Sequence, residues 1–484
     1  RTFGAGSFET GEYPNYLKMY GYTDEQIKDK IDTQWKRIIT GVDAVKSGIP
    51  EQMPGEHNYT EVGSDMAYVT GWNHDIYSKT IGIAMLAAVQ YGDKEVYDKF
   101  WKFVKTKMVQ TSGPWAGYIP QKISRTLQQI ADRASPSSAG SQRIVMSLWF
   151  AANRWGNGEG IFNYEAQAES FLKFWVEDAE IPHAVTYQTR PGKPIHKGMG
   201  TNSLFTKDGK FAVLHHLGSE ISDILNAGLF PHYYELWSEW SENQEVKTFF
   251  QGAAVNVRKI MKKQPNPLTK LNPYLAHLDG SPHHDGEHST FFPEAHPFVW
   301  NVALDYAWFG GKDDAAWYTD YARGILGFFG SEDRLGDGGG YNFDLNGTEK
   351  STEHGVGSTP TSLRAYLTSC IPLSSDQDVN KLFIEDLWTL KWTIENNELA
   401  NSVRGYSYML ALLHLSGQYR IYGAPSTKIY KKPIFRSNAI AVPSKADAVQ
   451  YDLCGRRISS RARAEAADKP GIVINRFTIQ GMDV

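Results

Sequence analysis

About a dozen stretches of this chain place apolar residues at helical spacing, and they alternate between two kinds. From Asp24 the run D-E-Q-I-K-D-K-I-D-T-Q-W-K-R-I-I has an acidic first turn and one apolar stripe, Ile27, Ile31, Trp35 and Ile38, which predicts an amphipathic helix. Residues 81–89 are apolar nearly all round, which predicts a buried helix. Residues 94–109 return to a single stripe of Val96, Tyr97, Phe100, Trp101, Val104 and Met108. Similar segments follow at 142–155, 164–175, 230–240, 245–261, 298–309, 314–329, 360–368, 382–394 and 406–415. A buried helix followed by an amphipathic one, repeated, is what a toroid of two concentric helix rings requires. The expected class is therefore all-α.

Between the helices lie long Gly-, Pro- and His-rich loops at 183–217 and 265–293, and loops of that length inside a compact domain are usually functional. Strand signals are weak until the end, where A-I-A-V, A-V-Q-Y-D-L and G-I-V-I-N-R-F read as short strands. The composition shifts near Pro425, so the expected organisation is a helical domain over 1–425 and a small β-rich tail over 426–484.

Composition narrows the partners. A net charge of −4 and a pI near 6.4 provide no basic face for nucleic acid, and no run of 18 apolar residues could span a bilayer. Two cysteines, Cys370 and Cys454, allow at most one bridge and no zinc knuckle. The 14 Trp, 26 Tyr and 23 Phe exceed what packing usually needs, and aromatic faces are surfaces on which sugar rings stack. The chain opens at Arg1 without Met, as a processed polypeptide would.

The stretch 286–311 is chemically loaded. Phe298, Val299, Val302, Ala303, Tyr306 and Ala307 predict a buried helix, with Pro293 and Pro297 suited to its first turn. Glu294 falls at the positive end of that helix, among His284, His288 and His296, where it either caps the helix or does chemistry. The neighbouring H-H-D-G-E-H run, 283–288, has metal-ligand residue types at a spacing that matches no helix-borne or hairpin ligand set. A solvated loop is favoured, and no metal or cofactor is expected.

Ordered motifs then point to one family. They include Y-P-N-Y-L-K-M-Y-G-Y, T-E-V-G-S-D-M-A-Y, W-A-G-Y, F-A-A-N-R-W-G-N-G-E-G, F-P-H-Y-Y-E-L-W, L-D-Y-A-W-F-G-G and Y-M-L-A-L-L-H-L-S-G-Q-Y-R-I-Y. Over roughly residues 9–423 the chain resembles glycoside hydrolase family 8, and in particular its branch acting on xylo-oligosaccharides from the reducing end. The resemblance implies an (α/α)6 barrel with a sugar-binding cleft and inverting hydrolysis of a β-linked glycan such as xylan. Inversion needs a carboxylic acid and a carboxylate base about 6.5–9.5 Å apart.

The resemblance places the family's acid position at Lys79, in Y-S-K-T, and its base position at Glu294. The Asp of the family's P-D-G-E-E motif matches Ala139 in S-S-A-G-S-Q; other pocket positions fall on Leu225, Gly228, Ser402 and Val403. The departures concentrate in the pocket while framework motifs survive. Asp75, four residues before Lys79, is either a substitute acid or the ion-pair partner of Lys79. Trp115, Tyr118, His232, Tyr234 and His296 are the candidate sugar-binding residues, with loop packing the competing role for Trp115 and Tyr118. Two functions follow: a divergent inverting hydrolase with Glu294 as base, or a carbohydrate-binding protein that kept the cleft and lost the acid. The tail, through V-Q-Y-D-L-C-G-R-R-I and K-P-G-I-V-I-N-R-F, is similar to bacterial secretion-sorting domains, so a secreted or surface-displayed monomer is expected.

Overall fold

The computed structural model describes residues 6–40, 59–71, 75–113, 115–128, 136–179, 182–188, 195–201, 204–206, 223–277, 279–282, 289–311, 314–331, 334–335, 342–350, 361–390 and 402–424. All of these belong to one compact unit, which takes in Arg1–Val42 and Gly55–Phe435. The tail 426–484, Cys454 and the run 283–288 with His284 and His288 lie outside the described residues.

Twelve helices of eight or more residues are described, and they match the twelve expected segments. They are α1 (Asp24–Thr40), α2 (Ser78–Tyr91), α3 (Lys94–Phe103), α4 (Ser138–Trp155), α5 (Tyr164–Glu177), α6 (Pro231–Trp240), α7 (Gln244–Met261), α8 (Pro297–Phe309), α9 (Ala315–Phe329), α10 (Thr361–Thr368), α11 (Gln377–Thr389) and α12 (Ser402–Leu415). The even-numbered helices form an inner ring: α2 packs on α4 and α12, α10 on α12, and α8 on both α10 and α6. Tyr234 of α6 closes the ring onto α4 by donating its hydroxyl to Gln142 Oε1 at 2.7 Å. Each odd-numbered helix backs the inner helix that precedes it, and α1 backs α12. The result is an (α/α)6 barrel.

Most outer helices start on a side-chain cap, as inner helix α4 does on Ser137, whereas three other inner helices do not. Outer helices α3, α5, α7, α9 and α11 are capped by Asp93, Asn163, Asn243, Asp314 and Asp376, whose side chains accept first-turn N–H groups. Helix α1 opens on a capping box, in which Thr23 and Gln26 bond each other's backbone N–H. Inner helices α2, α6 and α8 open on Tyr77, Phe230 and His296 with no side-chain cap. Helices α2 and α4 approach closely because a Cβ on Gly140 would fall 2.6 Å from Lys79 N, and one on Gly82 would fall 3.0 Å from Gly140 O.

Three features depart from the sequence expectations. The 94–109 segment ends in a π-helical turn, Val104–Met108. Loop 183–217 contains an antiparallel hairpin, Pro182–Gln188 with Ile195–Thr201, whose low apolar content hid it. Helix α8 begins at Pro297 rather than near Pro293, because residues 293–296 form a separate turn. No helix among the described residues is long and apolar enough to cross a membrane.

The inner wall also sets a pH dependence. His232 and His414 are buried, and burial lowers their pKa values to about 3 and about 4. Both are therefore neutral when folded and take up protons on unfolding. A depressed histidine pKa contributes stability above about pH 6.5 that is lost as pH falls toward the folded value. The melting temperature should fall steadily below about pH 6.5, with His232 alone contributing on the order of 3–5 kcal/mol by pH 3. Neither His232 ring nitrogen has a hydrogen-bond partner among the described residues, so His232→Phe should flatten this slope in calorimetric melts without abolishing folding.

Candidate active site

Lys79 is the second residue of α2, and Glu294 lies in the turn before α8. The barrel brings them together: Lys79 Nζ stands 3.7 Å from Glu294 Oε1, with side chains 45% and 40% exposed. The expectation that Glu294 caps α8 fails, because His296 is the cap position and no side chain caps that end. An ion pair this open to solvent contributes about 0–1 kcal/mol. The pair therefore defines the site more than it stabilises the fold.

A second ion pair lies beside it. Strand Ile76–Tyr77 pairs with Lys122–Ile123, setting Tyr77 opposite Lys122. Lys122 Nζ then reaches Asp75 Oδ2 at 2.6 Å, both side chains being largely buried. Burial opposes the Lys122 charge, but Asp75 and Tyr77 outweigh it and hold the ammonium above its ordinary range. Asp75 is thus the partner of Lys122, not of Lys79 as spacing had allowed, and is not free to serve as an acid. Two ammonium groups approach the Tyr77 ring, with Lys122 Nζ 5.3 Å and Lys79 Nζ 5.9 Å from its centroid.

The remaining candidates are packed. Trp115 and Tyr118 are buried, and Tyr118 donates its hydroxyl to Asp178 Oδ2 at 2.7 Å. Both rings pack within the loop and present no open face in this structure. Tyr234 belongs to a buried network in which Gln142 Nε2 also donates to Gly228 O at 3.0 Å. His232 is fully buried against the edge of Trp308, with ring centroids 5.1 Å apart. His296 is buried against Phe291 at 4.6 Å. Ala139 is the second residue of α4, and a Cβ added at Gly228 would fall 2.5 Å from Ser138 Oγ, so close packing leaves little room for a side chain at that pocket position.

Sequence reasoning missed two groups. The Tyr77–Lys122 pairing comes from a two-residue strand, too short for any periodic signal. Arg143 is the other: a cation directly before the apolar run I-V-M-S-L-W-F of an inner helix, legible as an oddity although its burial was not. It is buried, and its guanidinium carbon lies 5.2 Å from the centre of the Phe230 ring.

A family model described as glycosyl hydrolases family 8 matches residues 69–207. The reducing-end xylose-releasing exo-oligoxylanase of Halalkalibacterium halodurans is 28% identical over 423 residues, covering 86% of this chain and 96% of its own length. The corresponding protein of Paenibacillus barcinonensis, Rex8A, is 29% identical over 435 residues, covering 87% and 99%. The solved structure of Rex8A complexed with xylose superposes with a TM-score of 0.71 at 24% identity over 86% of this chain and 99% of that one, a likeness of fold.

Proposed function

We propose that this chain, which carries a glycosyl hydrolase family 8 domain, is a carbohydrate-directed barrel that binds β-linked xylo-oligosaccharides without cleaving them by the inverting route. The observation that supports this is the contact between Lys79 and Glu294 at 3.7 Å. Inversion needs two carboxyl groups about 6.5–9.5 Å apart, with a water on the far face of the sugar. Here the group opposite the carboxylate is an ammonium in charge contact, which leaves no gap for that water. The nearby Asp75 is engaged by Lys122. The choice of xylo-oligosaccharide rests on the names of the relatives.

A hydrolytic reading, with Glu294 as base, draws support from the solvent exposure of both Lys79 and Glu294. Calorimetry with xylotetraose, followed by reducing-end product analysis, separates the two. Binding heat without xylose release is expected. Glu294→Gln should leave the melting temperature nearly unchanged, because an exposed pair is worth at most about 1 kcal/mol. Xylose release that this substitution abolishes would overturn the binding reading and establish Glu294 as the base. Secretion or surface display is proposed from the tail's resemblance, and recovery of the protein only inside its source cells would count against it.

A further inference from the structure

Five ionised side chains are buried among the described residues: Asp93, Arg143, Asp178, Asp305 and Arg364. Asp93 accepts from Trp35 Nε1 and Val96 N, and Asp178 accepts from Tyr118. Asp305 is held by Arg258, and Arg364 Nε lies 3.6 Å from Asp386. Arg143 differs. Among the described residues it has no carboxylate and no hydrogen-bond acceptor, only the face of the Phe230 ring at 5.2 Å. A desolvated cation costs free energy unless an anion compensates it, and a ring face compensates much less than a carboxylate does.

Its position connects it to the site. Lys79 and Gly82 lie three residues apart on one face of α2, and Gly140 and Arg143 do the same on α4. Gly140 abuts the backbone of Lys79, while Arg143 Cβ is 3.0 Å from where a Gly82 Cβ would stand. Arg143 is thus one helical turn, about 5 Å, below Lys79 on the inner wall. Arg143 of α4 keeps 5% exposure and meets Phe230 at the start of α6 and Gly82 of α2. The charge of Arg143 also acts on the hydroxyls of Tyr233 and Tyr366, partly offsetting the upward pKa shift that burial imposes on each.

We propose that the barrel interior below Lys79 takes the carboxylate of an acidic sugar, with the Arg143 guanidinium as its fork and Lys79 as the cation at its mouth. The proposal rests on the glycan-binding reading above and names the substrate class: a xylo-oligosaccharide bearing a uronic acid, rather than a neutral one. An Arg fork matches a carboxylate through two parallel N–H donors. The competing charges are already engaged, since Glu294 faces Lys79 and Asp305 is clamped by Arg258.

Titration calorimetry of the full chain at low salt, with xylotetraose and with glucuronic-acid-substituted xylotetraose, tests this. The acidic sugar should bind at least about tenfold tighter, since one charge-assisted hydrogen bond is worth roughly that factor. Arg143→Met should bring the ratio close to unity while the melting temperature holds or rises, because an uncompensated cation has been removed. Arg143→Lys keeps the charge without the fork and should give an intermediate ratio. Equal affinities in the unsubstituted protein would overturn the acidic-sugar inference and leave glycan binding standing. No heat with either oligosaccharide would overturn the glycan-binding reading itself; free glucuronate binding that Arg143→Met abolishes would then uphold the anion site alone. A lower melting temperature in Arg143→Met with an unchanged ratio would assign Arg143 to structure and sink the proposal.

Discussion

Replacing Arg258 by methionine is expected to lower the unfolding free energy by about 3–5 kcal/mol, the cost of leaving a buried charge unpaired. Arg258, on α7, donates from Nη2 to Asp305 Oδ1 at 2.6 Å and from Nε to Oδ2 at 2.9 Å, and its Nη1 reaches Glu235 of α6. Tyr318 of α9 donates its hydroxyl to the same Asp305 carboxylate. One guanidinium therefore joins two inner helices to an outer one, and Asp305 is 1% exposed. Burial pushes the Asp305 carboxyl up, but Arg258 and the hydrogen bonds outweigh it and leave the pKa below its ordinary value. That stability is present at neutral pH and is lost as pH falls through the folded value. Without Arg258 the burial effect dominates and the sign reverses, so the variant's deficit should shrink on acidification. Denaturant melts of Arg258→Met at pH 7 and pH 5 would show this, and Arg258→Met with Asp305→Leu should recover much of the loss. A deficit below 1 kcal/mol at neutral pH would mean that the network carries little stability.

The helices were legible because their apolar stripes face the core, and that pattern is written in every turn that packs. What sequence misses is the first turn. Helix α4 begins at Ser138, four residues before the apolar pattern at 142, and α2 begins at Ser78, three before 81. Helix α12 likewise starts at Ser402, ahead of 406. Inner-helix first turns open onto the site or into close helix contacts, as Gly140 does against Lys79, so they carry small or polar residues with no periodic signal. The blind spot of periodicity therefore falls on the turns that build the pocket.

Site residues were legible in another way. Lys79 and Glu294 stand 215 positions apart, and no spacing rule could pair them; only the family pattern set them at one cleft, where the structure places them 3.7 Å apart. Asp75 was misjudged because four residues suggested a helical pair with Lys79, whereas α2 begins only at Ser78 and Asp75 precedes a strand. Trp115 and Tyr118 show the limit of residue type: both are buried, and the Tyr118 hydroxyl finds Asp178, the residue that ends α5. Residue type names a possible contact, while burial decides whether that contact faces a ligand.

Lys79→Glu is expected to leave xylo-oligosaccharides uncut, although a well-placed general acid is worth about 10²- to 10⁴-fold. A glutamate side chain at 79 would point at Glu294 across a gap that is now a charge contact of 3.7 Å. Two carboxylates that close cannot both ionise freely; one pKa rises and the pair shares a proton, unlike the separated acid and base that inversion uses. A raised folded pKa gives stability below the unfolded value that is lost as pH rises, so the deficit of this variant relative to the unsubstituted protein should be larger at pH 7 than at pH 5. Two further positions that the family resemblance assigns to the pocket, Ala139 and Gly228, carry neither a carboxyl nor a hydroxyl group. Gly228 cannot accept even a Cβ without displacing Ser138 Oγ, which would lie 2.5 Å away. The resemblance implies an aspartate at the base position, and Glu294 is one methylene longer, enough to misplace a water that must be held to within about 0.5 Å. Such groups act as a unit, so returning one member recovers little of the whole. Reducing-end analysis of xylotetraose incubated with Lys79→Glu should stay within tenfold of the uncatalysed background. Xylose release a hundredfold above it would show that water and sugar are still correctly positioned around Glu294.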